Sequence, residues 1–143
     1  MEAGRLDPAE RIAVPEEARV GVLRTLAPGL RPTWSDLATL MIAVSDNVAT
    51  NLIVDRLGID VIQRWIDRAG LGDTRLERRM MDRAAMDAGR QNWTSAADVE
   101  ALLSAVAVGA CVSRDASART RRSDPIIASP VRARAHELDR RSQ

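Results

Sequence analysis

Four stretches of the chain repeat apolar residues every three or four positions, the spacing that lines them along one face of an α-helix. In the first, Leu37, Leu40, Met41 and Val44 share a face. Thr33 stands ahead of them with Asp36 three residues on, which is the spacing of a capping box. The run Ser45-Asp46-Asn47 is expected to end this helix, because such side chains bond local backbone and favour caps over helix interiors. A second helix follows, with Val48, Leu52, Ile53 and Leu57 apolar and Gly58 at the place of a left-handed C-terminal cap. The third runs from Asp60 as cap through Ile62, Trp65, Ile66 and Ala69 to Gly70. The fourth starts at Thr94 or Ser95, the latter with Asp98 three residues on, and buries Val99, Leu102, Leu103 and Val106.

Between the third and fourth helices, residues 71–93 show no sustained period and read as a long ordered loop, a kind of segment that often carries function. Residues 5–31 are broken by proline and glycine and read as irregular, with Arg11 to Pro15 as a candidate short edge. The expected fold is therefore mostly α. The longest apolar runs, Leu37 to Val44 and Ala101 to Ala110, fall far short of the roughly 20 residues of a membrane span, so no membrane association is expected. The first residues show no basic-then-apolar signal-peptide pattern.

Composition narrows the chemistry. At 143 residues and 45% hydrophobic the chain suits one domain with a modest core. Its 21 basic residues nearly balance 20 acidic ones, which gives no ground for a nucleic-acid partner. The balance is uneven along the chain, −3 over residues 1–111 and +4 over 112–143. With the loss of apolar periodicity, this divides the chain into an ordered part, 1–111, and a basic, frayed or disordered tail, 112–143. Cys111 is the only cysteine, excluding an internal disulfide or a thiolate zinc cluster, and His136 is the only histidine. No metal and no cofactor are expected. Trp34 and Trp65 read as core or helix-interface anchors, Trp93 as a hydrophobic staple ahead of a helix, and Met80, Met81 and Met86 as gap-fillers in the loop. Every basic residue other than His136 is arginine. No lysine exists to act as a base or Schiff-base former, and arginine stays protonated and cannot replace it.

The stretch TWSDLATLMIAVSDNVATNLIVDRLG, Thr33 to Gly58, resembles the helical domain of class A β-lactamases and the wider penicillin-recognising serine hydrolases. Two further segments agree in order. Gly70-Leu71-Gly72-Asp73-Thr74-Arg75-Leu76 resembles the entry to that family's omega loop, and Asn92-Trp93-Thr94-Ser95-Ala96-Ala97-Asp98 the start of the helix after it. The resemblance covers about residues 4–110 and implies the helical domain of the α/β β-lactamase fold with most of the β-sheet missing. The family signature is S-x-x-K, S-D-N and K-T-G. By resemblance, Ser45 is the catalytic serine that relays a proton toward the leaving amide nitrogen. Asn47 is the substrate-binding asparagine, and Asp46 organises the turn between them. The substrate implied for the intact parent is a small-molecule β-lactam or a peptide-like amide. Family members are usually secreted or periplasmic, although the chain itself fixes neither compartment nor oligomeric state.

Two departures qualify this. S-x-x-K and K-T-G need lysine, so the nucleophile and both lysine-bearing walls are expected outside this chain, as in a fragment that is inactive alone. Aligned on Thr74-Arg75-Leu76, the omega-loop glutamate that activates the deacylating water falls on Met80, whose thioether accepts no proton from water at neutral pH. Either Asp82 takes over that task after a small shift of the loop, or the parent belongs to a branch of the family without this base. Two readings compete with the hydrolase fragment. One is a non-catalytic helical protein-interaction module. The other is a helix-turn-helix DNA binder, disfavoured because Val48 to Leu57 carries only Arg56 as a basic residue against Asp55.

Overall fold

A computed structural model describes residues 6–15, 21–25 and 29–108. Cys111, His136 and the tail expected over 112–143 lie outside the described residues. The chain divides into two compact units, Met1–Thr94 and Ser95–Gln143.

In the first unit, helix α1 spans Trp34–Val44 and opens on the capping box that the sequence spells. The Thr33 hydroxyl accepts the Asp36 N–H at 3.1 Å, and the Asp36 carboxylate accepts the Thr33 N–H at 2.8 Å. Helix α2, Asn47–Leu57, follows after two residues and packs against α1. Leu37 on α1 and Ala49 on α2 are both 0% exposed. The methyl of Ala49 lets the two backbones approach closely enough to seal Leu37 from water, a burial worth about 2 kcal/mol for the leucine alone.

Leu23 and Trp34 complete this core, with Leu6, Ile12, Val14, Leu40, Val48, Leu52 and Ile53 packed around it. Leu23 comes from a short 3-10 helix, Gly21–Thr25, inside the stretch expected to be irregular. The buried indole of Trp34 needs a partner for its N–H and donates it to Glu10 Oε2 at 3.0 Å. Arg11 to Pro15 forms no strand. Arg11 makes one isolated bridge to Thr33, and no strand occurs among the described residues.

Helix α3, Ile59–Arg68, begins one residue after α2 ends. Gly58 closes the first and opens the second at φ 86° and ψ 135°. That geometry is not the left-handed helical cap the sequence suggests, and Asp60 lies in the first turn of α3 instead of capping it. A backbone this far from ordinary L-residue conformations requires glycine.

The loop after α3 is ordered, as expected, and contains one element the periodicity does not announce. Asp82 accepts the Ala85 N–H at 3.0 Å and starts a short helix α4, Arg83–Asp87, that buries Ala85. Its methionines are not uniformly buried: Met80 is half-buried, whereas Met81 is 73% exposed and Met86 is also exposed. Trp93 is 62% exposed and is fixed through its backbone, not its ring. Val44, expected on the apolar face of α1, is exposed as well.

In the second unit, α5 spans Ala96–Val108. The Ser95 hydroxyl accepts the Asp98 N–H at 3.1 Å, which selects Ser95 over Thr94 as the cap. Val106 is buried, Leu102 and Leu103 are half-buried, and Val99 is exposed. No helix among the described residues is long and apolar enough to cross a membrane.

Candidate functional site

The chain turns from α1 into α2 through Ser45, Asp46 and Asn47, and the three side chains have separate fates. Ser45 takes a left-handed conformation, φ 54° and ψ 38°, and its N–H reaches back to the Leu40 carbonyl. A non-glycine residue there carries about 1–2 kcal/mol of strain, held by the helices on either side. Its side chain is exposed, and its hydroxyl has no hydrogen-bond partner among the described residues.

Asp46 is only 7% exposed. One carboxylate oxygen accepts the N–H groups of Val48 and Ala49 at 2.9 and 2.8 Å, capping α2. The other accepts the Val22 N–H at 3.2 Å and so anchors the 3-10 helix. A carboxylate at a helix N-terminus also sits at the favourable end of the helix dipole. Asn47, the first residue of α2, is exposed, and its carboxamide is unengaged among the described residues. The turn thus presents an open hydroxyl and an open carboxamide on either side of a buried carboxylate. The first can give and take a proton in one step, and the second offers a donor and an acceptor in one plane.

One turn further along α2, Asn51 holds the loop. Its Oδ1 accepts the Met80 N–H at 2.7 Å and its Nδ2 donates to the Met80 carbonyl at 3.0 Å. A further turn along, Asp55 pairs with Arg79 at 2.9 Å. Loop numbers rise as helix numbers fall, so the loop runs antiparallel to α2 here and brings Met80 one turn from Asn47. Met81, next along, has a left-handed backbone with φ 60°.

The two carboxylates nearest Met80 in sequence are committed to backbone. Asp82 caps α4, and Glu77 accepts the Gln91 N–H at 2.9 Å. Asn92 ties the base of the loop, accepting the N–H groups of Glu77 and Arg78 at 2.9 and 3.1 Å and donating to the Arg78 carbonyl at 3.1 Å. Gln63 on α3 accepts the Leu76 N–H at 2.9 Å. Residue order alone assigns no site role to Asn51, Asp55, Gln63 or Asn92. Asn51 alone left a signal, since it stands four residues after Asn47 and shares its helix face. Among the described residues, no group of three or more His, Cys, Asp or Glu side chains could hold a metal ion.

The sequence pattern of the beta-lactamase enzyme family matches residues 1–123. The chain belongs to the beta-lactamase enzyme family. Its fold agrees: the β-lactamase from Sphaerobacter thermophilus DSM 20745 superposes with a TM-score of 0.73 and 31% identity over 82% of this chain. PBP-A superposes with a TM-score of 0.64 and 28% identity over 80% of this chain, and so does a mutant of PBP-A in an acyl-enzyme complex with penicillin G. The chain spans 45% of the S. thermophilus β-lactamase and 43% of PBP-A. No curated protein matches the chain. The described helices are those of the helical domain of the β-lactamase fold, and this family member represents a fragment of the penicillin-recognising fold.

Proposed function

We propose that the chain supplies one wall of the active site of a class A-like serine hydrolase acting on a β-lactam or a related peptide-like amide. The observation that carries this is the Ser45–Asn47 turn. Its two flanking side chains are open and its middle one is buried as a structural carboxylate, in a chain whose family relatives include a penicillin G acyl-enzyme. In this reading Ser45 passes a proton toward the leaving amide nitrogen, and Asn47 hydrogen-bonds the amide of the substrate's side chain. Asp46 holds both in place through the N–H groups it accepts.

The nucleophilic serine of S-x-x-K and the lysines of both missing elements would come from sequence outside this chain, which contains no lysine at all. The chain alone is then inactive. Met80, held by both its backbone groups on Asn51, stands where the family's water-activating glutamate aligns. Asp82 is occupied in capping α4. A parent with this loop acylates and then releases product slowly, because Met80 cannot activate the deacylating water and the carboxylates nearest to it, Glu77 and Asp82, are bonded to loop backbone.

Incubating the purified chain with a chromogenic cephalosporin and a fluorescent penicillin tests the reading. Neither turnover nor a covalent adduct is expected, and either one on this chain would overturn the claim that it is incomplete. Embedding residues 1–108 in a full-length relative in place of its own segment should restore fluorescent-penicillin labelling, and Ser45→Ala or Asn47→Ala should weaken it. Full labelling in both variants would remove Ser45 and Asn47 from the site.

A further inference from the structure

Gly21 differs from every other glycine among the described residues. A Cβ built on Gly29, Gly70, Gly72 or Gly89 meets nothing within 4 Å, and one on Gly58 meets only Val61 Cγ2 at 4.0 Å. At Gly21 it would stand 3.2 Å from Asp46 Oδ2, too close for a carbon and an oxygen to rest without one displacing the other. The backbone there is also left-handed, with φ at 60°.

Neither side of this contact is loose. Asp46 is buried, and its other carboxylate oxygen is fixed by the N–H groups of Val48 and Ala49 at 2.9 and 2.8 Å. Its carbonyl accepts the Thr50 hydroxyl at 2.8 Å. Opposite, the 3-10 helix that carries Gly21 is held by Leu23, which is 1% exposed in the core with Leu37 and Ala49. The Val22 N–H reaches Asp46 Oδ2 from the residue next to Gly21. A methyl inserted here has two ways out. Either the 3-10 helix pulls Leu23 from the core, or the Asp46 carboxylate turns off the N–H groups at the head of α2. The second is the shorter path, since it rotates one side chain, whereas the first opens a close-packed interior. Asn47 is the first residue of α2 and sits directly on that cap.

We infer that Gly21 is a positioning residue for Asn47, acting through Asp46. Its missing side chain lets the 3-10 helix close on the carboxylate that caps α2, and this fixes the direction in which α2 presents its first residue. The coupling stands on the geometry; its consequence for substrate rests on the hydrolase reading above. In that reading Asn47 bonds the amide of the substrate's side chain, so Gly21 helps decide between substrates with and without that amide.

Amide hydrogen exchange on the full chain, resolved by residue, tests the coupling. In Gly21→Ala the amides of Val48 and Ala49 should exchange about tenfold faster relative to that of Trp93, whose N–H bonds the Arg75 carbonyl at 3.0 Å. Gly70→Ala, with φ at +74° and open space around its Cβ, carries the strain without the contact and should leave that ratio unchanged. Gly21→Asn introduces the same Cβ at a smaller backbone cost, because asparagine visits the left-handed region more readily. It should give the same rise, and it decides if the alanine variant fails to fold. An unchanged ratio in the Gly21 variants, or an equal rise in Gly70→Ala, would overturn the coupling. For the consequence, residues 1–108 are embedded in a full-length relative, where penicillin G and 6-aminopenicillanic acid, which lacks the side-chain amide, compete with a fluorescent penicillin. Gly21→Ala should cut the preference for penicillin G by about threefold or more. A preference that holds while Val48 and Ala49 are loosened would overturn the role of Gly21 in aiming Asn47. An unsubstituted chimera that prefers neither ligand would instead overturn the role of Asn47 in the hydrolase reading, and the exchange ratio would still decide the coupling.

Discussion

Asn51 brackets Met80, taking its N–H on the carboxamide oxygen and giving an N–H to its carbonyl, at 2.7 and 3.0 Å. A backbone unit is thereby satisfied by a single side chain on a neighbouring helix, much as a strand would satisfy it. Asn51→Leu keeps a similar volume and leaves both backbone groups half-buried without partners. It should lower stability by about 1–3 kcal/mol, read as a shift in the urea midpoint with an unchanged slope.

Asp46 carries more of the fold than either neighbour. Asp46→Ala removes the acceptor for three backbone N–H groups, those of Val48, Ala49 and Val22. Loss of such a cap costs about 0.5–2 kcal/mol, and the orphaned Val22 N–H adds to it. Asp46→Asn retains one acceptor oxygen and should be the milder change. Thermal melts of the two variants should rank in that order; equal melting temperatures would mean that the charge, which both variants lose, and not the bonding matters at this position.

Gly58→Ala should destabilise through backbone conformation alone. A Cβ built there meets only Val61 Cγ2 at 4.0 Å, an ordinary contact, but φ is +86°. The cost is about 1–3 kcal/mol, and circular dichroism should show the helical signal lost at a lower temperature. By contrast Leu37→Ala, at a fully buried site, should cost about 2–5 kcal/mol by leaving a cavity between α1 and α2.

The capping box at the head of α1 makes stability depend on acid. The Thr33 backbone N–H, then its hydroxyl, hold the Asp36 carboxyl below the ordinary value of 3.8, with Arg11 adding a smaller pull and desolvation a smaller opposing push. A carboxyl lowered in the folded state stabilises above its unfolded value, and the effect is lost as pH falls through the folded one. The difference in urea midpoint between the native chain and Asp36→Ala should therefore hold from neutral pH to about pH 5 and narrow below about pH 4. Since Asp36 is exposed, the difference itself should be small. A gap that widens in acid would assign the stabilisation to another group.

Much of the helical frame could be read from residue order because its signals are local. Thr33 and Asp36 announce α1, Ser45 to Asn47 ends it, and Ser95 with Asp98 opens α5, each through bonds within three residues. Signals that depend on tertiary partners were silent. Asp60 looks like a cap, yet α3 starts at Ile59 because Gly58 turns the chain one residue earlier. Leu23 lies in a proline- and glycine-rich stretch and is nonetheless core, since Asp46 draws Val22 toward the turn. The five residues of α4 are too few for any period to show. At the candidate site, Ser45 and Asn47 are marked only by resemblance to the family's S-D-N element, since by type alone they read as ordinary cap and turn residues. The loop's fastening through Asn51, Asp55 and Asn92 joins residues 14 to 29 positions apart, and no spacing along one chain encodes that.

The carboxylate of Asp46 points one oxygen forward into α2 and the other back to the 3-10 helix, so the turn is gripped from inside at its middle residue. The side chains on either side make no bonds of their own among the described residues, and the carboxylate between them fixes the turn that carries them. Such a turn resembles a tool-holder: the side chains at 45 and 47 can be exchanged, and the chemistry they offer with them, while the clamp that aims them stays shut.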